Sequence, residues 1–439
     1  IAKPGKPKTE ATSYRPISLT CTMCKLFEKI LNKRLTWYLE SQNLLHPTQC
    51  GFRNSRSTAD NLLTLETEIH DAFADGQYVL AIFFDLKKAF DTAWRFQILK
   101  KLHTWGIQGK LFMFISNFLT NRSFRVTVNG CTSTERPLET GTPQGSVLST
   151  TLFNIAINDI VSDIQSPVKP LLYADDLTLY IKGTNLSSMT HLMQNAIDTV
   201  ENWSTLTGFT FSSEKTRGIL FSKRRPPSPP VLKLYNQNIA FQATIKYLGM
   251  IFDQKLTWKD HTRSLIQECH KTLGLLKTLA HHHWGSDSEM LLRLYRSLIR
   301  SKIDYGCLAY SSAKSSALAP LNSLHNSALR IATGAFRTTP VTSLYCLAAE
   351  PSLLLRRDFL LLSYSLKIAA DVDHPFRKLL FSRRSQLIFT KKTSLCSPAY
   401  RRLSLLLREL NYSLPVFFPK PPHIFPGVSR LTPIYSSSW

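Results

Sequence analysis

The hydrophobic pattern predicts an α+β fold, a sheet with helices packed on one face, and three observations carry that reading. Val79 to Phe84 is a strongly apolar run that stops abruptly on a carboxylate, Asp85, and has the length and composition of a buried strand. Leu171 to Lys182, LLYADDLTLYIK, sets two β-prone runs on either side of Ala174, Asp175 and Asp176, where a hairpin would turn. Much of the remaining chain repeats apolar residues at helical spacing.

Taken in order, Ile1 to Thr12 reads as an extended basic arm, with Lys3, Lys6 and Lys8 set among Pro4, Gly5 and Pro7. Thr22 to Gln42 is an amphipathic helix carrying Leu26, Phe27, Ile30, Leu31, Leu35, Tyr38 and Leu39 at helical spacing. Gln49 to Ser57 is a loop with Gly51, Arg53 and Arg56; Ser57 then caps a helix presenting Leu62, Leu65, Ile69 and Phe73, which Asp75-Gly76 ends. Ala93 to Ile107 is helical and Arg122 to Val128 alternates like a strand. Gly141 to Ser146, GTPQGS, is a breaker-rich loop feeding a helix over Leu148 to Ile164. After the hairpin, Leu192 to Thr205 is helical and Gly208 to Ser222 is a turn plus strand. Lys223 to Pro230, KRRPPSPP, is a basic linker, because proline cannot continue a central strand. Strand character returns over Lys246 to Trp258. From His261 the pattern is helical to about Ile368, with Ser286 and Glu289 spaced as a capping box. Past His374 the chain is rich in Lys, Arg and Pro with Glu409 as its one acid, and is expected to be loosely ordered.

Composition narrows the partner. A formal charge of +24 over 439 residues exceeds what solubility requires and points to a polyanion, nucleic acid before an anionic membrane. The longest apolar run, Leu111 to Leu119, falls well short of the ~18 residues of a membrane span. Eight scattered cysteines without a secretory signal fit reduced thiols inside a cell. Cys21 and Cys24 form a CxxC with no second ligand pair at zinc spacing, so packing is the better reading. His270, Cys269 and the run His281 to His283 likewise yield no tetrahedral set. The chain begins with Ile, as a piece of a longer polypeptide would.

The chemistry sits with the acids. Two like charges side by side at Asp175-Asp176 resist burial unless a cation meets them, and Asp85 at a strand end supplies a third carboxylate for the same ion. Hard oxygen donors suit Mg²⁺, which keeps water and takes phosphate as its remaining ligands.

Seven stretches occur together and in order: SYRPISL at 13 to 19, QCGFRNSRST at 49 to 58, FFDLKKAFDT at 83 to 92, GTPQGSVLSTTLFNIAINDI at 141 to 160, YADD at 173 to 176, GFTFSSEKT at 208 to 216 and KYLGMIFD at 246 to 253. In these the chain resembles the reverse transcriptases of non-LTR (LINE-type) retrotransposons, most of all the jockey and I-factor groups of arthropod elements. The resemblance implies a right-hand polymerase. Fingers and palm would occupy 1–252, a helical thumb and extension 253–375, and a basic, Pro-rich tail 376–439. It implies two Mg²⁺ ions, with Mn²⁺ as a substitute, roughly 3.5–4 Å apart, held by Asp85 and Asp175 with Asp176 at the edge. Phe90 would pack under the incoming sugar and select deoxynucleotides, and Ala174 would leave room at the primer end. Gln144 and Gly145 would contact nucleotide and template, and Lys215 would protonate the leaving pyrophosphate. One or more of Arg15, Arg53 and Arg56 would reach the triphosphate, and Tyr247 to Gly249 would seat the primer. Thr150 stands where the family usually has Pro, and Thr142 where Val is common. The implied partners are an RNA template, a DNA primer or target and dNTPs, with no membrane, and target-primed synthesis would place the protein in the nucleus. Two other readings remain open: a decayed element copy that binds nucleic acid without polymerising, and an RNA-templated RNA polymerase.

Overall fold

The structure, a computed structural model, describes residues 1–412 except 4, 6, 8, 11, 12, 121, 129, 225–227, 282 and 392–395, and excludes the side chains of 383, 386 and 391. Part of the N-terminal arm, part of the basic linker, His282 and the tail beyond Tyr412 therefore lie outside the described residues.

Two helices, α1 (Thr22–Ser41) and α2 (Thr58–Ala74), precede the first strand, β1 (Tyr78–Phe84). Ser57 stands at the start of α2 as its sequence predicts, and its backbone N–H donates to Asp60 Oδ2 at 2.6 Å. Further helices cover Arg95–Thr104 and Gly109–Leu119. Then come α3 (Val147–Ile157), the hairpin β2 (Lys169–Tyr173) and β3 (Asp176–Gly183), α4 (Leu186–Thr207), β4 (Arg217–Phe221) and β5 (Ala240–Phe241). The five strands form one sheet in the order β5-β4-β1-β3-β2, antiparallel except that β5 runs parallel to β4.

The sheet is covered on both faces, not on one as the sequence suggested. Successive side chains of a strand point to opposite faces. Val79, Ala81 and Phe83 enter a core with Leu62, Leu65 and Ile69 of α2. Leu80, Ile82 and Phe84 enter a second core with Phe153 of α3 and Ile197 of α4. The reason is legible in β1, which is apolar at every position from Val79 to Phe84 and buried at all six. A strand with one wet face would alternate with polar residues.

Beyond the sheet, β6 (Thr244–Tyr247) and β7 (Met250–Asp253) form a hairpin whose turn residues, Leu248 and Gly249, have φ of 42° and 80°. Positive φ at both positions is what a tight two-residue hairpin demands. Tyr305 donates its hydroxyl to the Leu248 carbonyl at 2.6 Å, which fastens this turn to the helices that follow: α5 (Lys259–Leu279), α6 (Ser288–Tyr295), α7 (Ser315–Thr333), α8 (Val341–Ala348) and α9 (Leu353–Ala370). The cap of α6 is Asp287, whose side chain accepts from Met290 N at 2.8 Å, one residue later than the Ser286 the spacing suggested. A carboxylate satisfies the free amides and also meets the positive end of the helix dipole, which a serine hydroxyl does not.

Two further expectations give way. Leu26, Phe27 and Ile30, read as part of the buried face of α1, are about half exposed, while Leu35 and Leu39 are fully buried. The stretch after His374, expected to be loose, folds up to Glu409 into the helices Pro375–Leu380, Arg383–Lys391 and α10 (Pro398–Glu409). Phe376 and Leu380, like Ala399 and Leu403, sit four apart and enter the same core as α2, a helical spacing hidden beneath high charge and proline content. Tyr364 of α9 donates its hydroxyl to Asp60 Oδ1 at 2.7 Å, so the C-terminal helices are anchored to the start of α2. All eight cysteines are free, and Cys21 is exposed at the start of α1, where its sulfur accepts from Cys24 N at 3.3 Å.

Glu68 ties α2 to the sheet. It is buried, and it receives Lys169 of β2 at 2.5 Å and Lys182 of β3 at 2.8 Å. Burial alone would raise its pKa, but the two lysine hydrogen bonds outweigh that and hold the carboxyl below the ordinary glutamate range. Because both lysines keep contact with solvent, Glu68→Gln should cost only about 1–2 kcal/mol at pH 7. A depressed acid contributes stability above its unfolded pKa and loses it as pH falls through the folded one. The gap between wild-type and variant urea midpoints should therefore be full at pH 7 and narrow steadily as pH falls below the ordinary glutamate range.

Candidate active site

The position of the acids follows from strand register. β1 and β3 pair antiparallel with Phe84 opposite Leu177, so one step further along the same register sets Asp85 across from Asp176. Tyr173 pairs with Asp176, leaving Ala174 and Asp175 as the hairpin turn, with Ala174 at φ 53°. The Asp85 carbonyl accepts from Ser212 N at 2.8 Å, and Lys87 N donates to Thr210 O at 2.8 Å. This pins the end of β1 to the turn before β4. Three residues after Ser212, Lys215 returns to Asp85 and donates its Nζ to Oδ2 at 3.1 Å.

The charge of Asp85 bears on both acids of the hairpin turn. Desolvation raises the pKa of Asp175, and the charge of Asp85 adds to it, outweighing a backbone hydrogen bond and the charge of Arg15. Asp176 reaches solvent, yet the protein around its carboxyl removes enough water, together with the charges of Asp175 and Asp85, to push its pKa up to about 6. Among the described residues, no three Asp, Glu, His or Cys side chains close into a ready-made metal cage. Asp85, Asp175 and Asp176 lie toward the same end of the sheet and offer hard carboxylate oxygens that could receive a divalent cation. Such a set suits an ion that completes its shell with water and phosphate.

A second loop borders the acids. Phe90, half-buried, stacks on Phe153 of α3 with ring centroids 4.4 Å apart and meets Phe52 edge-on at 6.3 Å. Gln144 donates Nε2 to Asp91 Oδ1 at 2.9 Å, and its carbonyl accepts from Ser18 N at 2.7 Å. Gly145 has φ 105°, and a Cβ there would stand 3.1 Å from the Ser18 carbonyl, so a side chain would be both strained and crowded. The sequence reading missed two residues that hold this loop. Arg95 is buried and donates to the carbonyls of Leu138, Thr140 and Gly141 at 2.6, 3.0 and 2.8 Å. Glu28 of α1, fully buried, accepts from the N–H groups of Val147 and Leu148 at 2.8 and 3.2 Å and from the Ser146 hydroxyl. Its carboxylate caps α3 from another helix. Neither was findable from local pattern, because their partners are backbone atoms far away in sequence.

The three candidate arginines part company. Arg15 is exposed, and its charge acts on Asp175. Arg53 is turned inward, its side chain only 8% exposed, with Nε and Nη2 on the Glu40 carboxylate and Nη1 on the carbonyls of His46 and Gln49. Arg56 donates to the carbonyl of Asp373 at 3.5 Å. Tyr247 is buried beneath the site, edge-on to Phe83 at 5.0 Å.

A register that brings acids from two neighbouring strands to one end of a sheet, bordered by a glycine-bearing loop, is the kind of site found in nucleotidyl-transferring enzymes. The family model for "Reverse transcriptase (RNA-dependent DNA polymerase)" matches residues 1–252, more than half of the 439 residues, and the chain belongs to that family. Similar proteins in Drosophila melanogaster are the RNA-directed DNA polymerase from mobile element jockey, 28% identical over 341 residues, and the probable RNA-directed DNA polymerase from transposon X-element, 27% identical over 343. Each alignment covers 76% of this chain and 37% of the relative, so the chain spans little more than a third of their length. These matches bear out the resemblance to non-LTR retrotransposon polymerases. Telomerase from Candida albicans, solved with a fragment of telomeric RNA, is 12% identical with a TM-score of 0.40, covering 86% of this chain and 58% of that one.

An acid whose pKa is raised on folding penalises the fold once it ionises. Asp176→Asn should therefore raise the urea midpoint of the metal-free protein at pH 8. The gain should shrink as pH falls through about 6 and vanish below about 4, where the carboxyl is protonated in both states.

Proposed function

We propose that this chain is the polymerase module of a non-LTR retrotransposon, a right hand that extends a primer 3′-hydroxyl with deoxynucleotides on an RNA template. The observation that carries the reading is the strand register, which sets Asp85 at the end of β1 beside the hairpin turn that bears Asp175 and Asp176. In this reading residues 1–252 are fingers and palm, α5 to α9 are the thumb, and the helices after His374 brace the palm from behind.

Asp85 and Asp175 would hold two divalent cations, Mg²⁺ with Mn²⁺ as a substitute, and Asp176 would tune them from the edge. When bound, the ions activate the attacking hydroxyl and steady the leaving pyrophosphate. The protein's own residues position and discriminate. Lys215, 3.1 Å from Asp85, brings an ammonium to the site that would serve as proton donor to the leaving group. Phe90 is held upright between Phe153 and Phe52, a rigid ring that would exclude a 2′-hydroxyl. Gln144 and Gly145 lie on a loop braced by Glu28 and Arg95, suited to close backbone approach by a nucleotide. Arg15 is the arginine we assign to the triphosphate, since it is exposed and acts on Asp175. The charge of +24 supports backbone tracking of an RNA–DNA duplex without base readout. Target-primed synthesis on chromosomal DNA would place the protein in the nucleus.

Primer extension on an RNA template with Mg²⁺ and dNTPs tests the proposal. Incorporation that stops on chelation is expected; a folded protein that shifts RNA yet adds no nucleotide would instead be a decayed copy. Asp175→Asn should lower kcat by on the order of 10²–10³ with RNA affinity retained. Phe90→Ala should leave dNTP use largely intact and improve ribonucleotide use relative to dNTP by roughly 10- to 100-fold in kcat/KM. An unchanged ratio would remove Phe90 from sugar selection.

A further inference from the structure

The hairpin that presents Asp175 is not held by the sheet alone. Gln49, 1% exposed, lies on the loop between α1 and α2 and reaches the turn with its side-chain amide. Its Oε1 accepts from Ala174 N at 2.9 Å and from Gly51 N at 2.8 Å, and its Nε2 donates to Ala174 O at 3.4 Å. Ala174 is the residue before Asp175, and its φ of 53° is a conformation alanine adopts only under constraint. The backbone adds to the clasp. Gln49 bridges Leu172 in parallel, and Cys50 N donates to Leu172 O at 2.9 Å. The loop presses so closely that a Cβ on Gly51 would stand 2.3 Å from Ala174 N. Asn154 of α3 donates to Gly51 O at 2.9 Å from the other side.

We propose that Gln49 is a positioning residue for Asp175: its amide reads both backbone groups of Ala174, fixes the left-handed turn, and couples the carboxylate's aim to the 49–52 loop. Without that amide, two buried N–H groups lose their acceptor, and the turn relaxes toward a conformation alanine prefers. Asp175 then swings relative to Asp85. The inference rests on the polymerase reading for its kinetic consequence but not for its structural one, so the two can fail separately.

The test compares wild type with Gln49→Met, which keeps the volume and removes the hydrogen bonds, and with Gln49→Glu, which keeps an oxygen for both N–H groups. Mn²⁺ binding is followed by the electron paramagnetic resonance signal of the free ion, with no nucleotide or template present. Gln49→Met is expected to weaken Mn²⁺ affinity roughly 10- to 100-fold. In extension assays it should lower kcat by a similar factor, with the dNTP KM within about twofold and RNA affinity unchanged. Gln49→Glu should recover most of the kcat loss; if it does no better than Gln49→Met, the hydrogen-bond account is overturned. Equal Mn²⁺ affinity in wild type and Gln49→Met overturns the proposal outright. If wild type polymerises nothing, the polymerase reading fails and the Mn²⁺ comparison still decides the role of Gln49. Should Gln49→Met not fold, amide hydrogen exchange in wild type takes its place. Protection of Ala174 and Gly51 supports the clasp, and exchange as fast as an open loop sinks it.

Discussion

The pairing of β1 with β3 is the constraint on which the rest depends. Seven consecutive partners, from Tyr78 with Gly183 to Phe84 with Leu177, fix where β1 ends relative to the turn that carries Asp175. Side chains alternate with a period of two, so a slip of one residue would exchange the two cores and turn every side chain of β1 to the wrong face. Because β1 is buried on both sides, that slip is prohibitively costly, and the register is rigid. The carboxylates inherit this rigidity. The backbone positions of Asp85 and Asp176 are set by the apolar interior, and the charge of Asp85 bears on Asp176.

Several buried charges elsewhere in the fold are directly paired. Glu68 meets two lysines, and Glu350, buried in the helical region, is bracketed by Arg296 and Arg300 at 2.6 and 2.7 Å. Asp60 is hydrogen-bonded by Tyr364 and by its own helix start. The acids at the sheet end have less: Lys215 pairs with Asp85, and that lysine side chain is 65% exposed. Stability given up at one place for chemistry is a recurrent arrangement in active sites.

Much of this could be read from the sequence. The strand ending on Asp85, the YADD hairpin and the loop at Gln144 were visible because each combines a local periodicity with a breaker or a charge at a fixed offset. What could not be read were features that need the tertiary fold. The second covered face of the sheet was carried by the unbroken apolar run of β1, whereas which helices cover each face could not be read, because periodicity does not say which elements meet. Leu26, Phe27 and Ile30 looked buried because an amphipathic stripe shows which residues are apolar but not how wide the covering neighbour is. Arg53 looked like a phosphate ligand because an arginine in a loop has the same appearance whether it faces solvent or Glu40. Gln49, Glu28 and Arg95 were invisible for a common reason: each is a single polar side chain with main-chain partners contributed by a distant part of the chain.

The anchoring of the C-terminal helices on α2 has a practical corollary for how the molecule can be divided. Tyr364 reaches Asp60, and Phe376, Leu380, Ala399 and Leu403 share a core with Leu62, Leu65 and Val79. A fragment cut at the end of the family-matched segment would leave that apolar surface bare to water and leave the Asp60 carboxylate without its tyrosine. A piece that keeps this core covered therefore runs beyond the family-matched segment, at least through the helix that closes at Glu409.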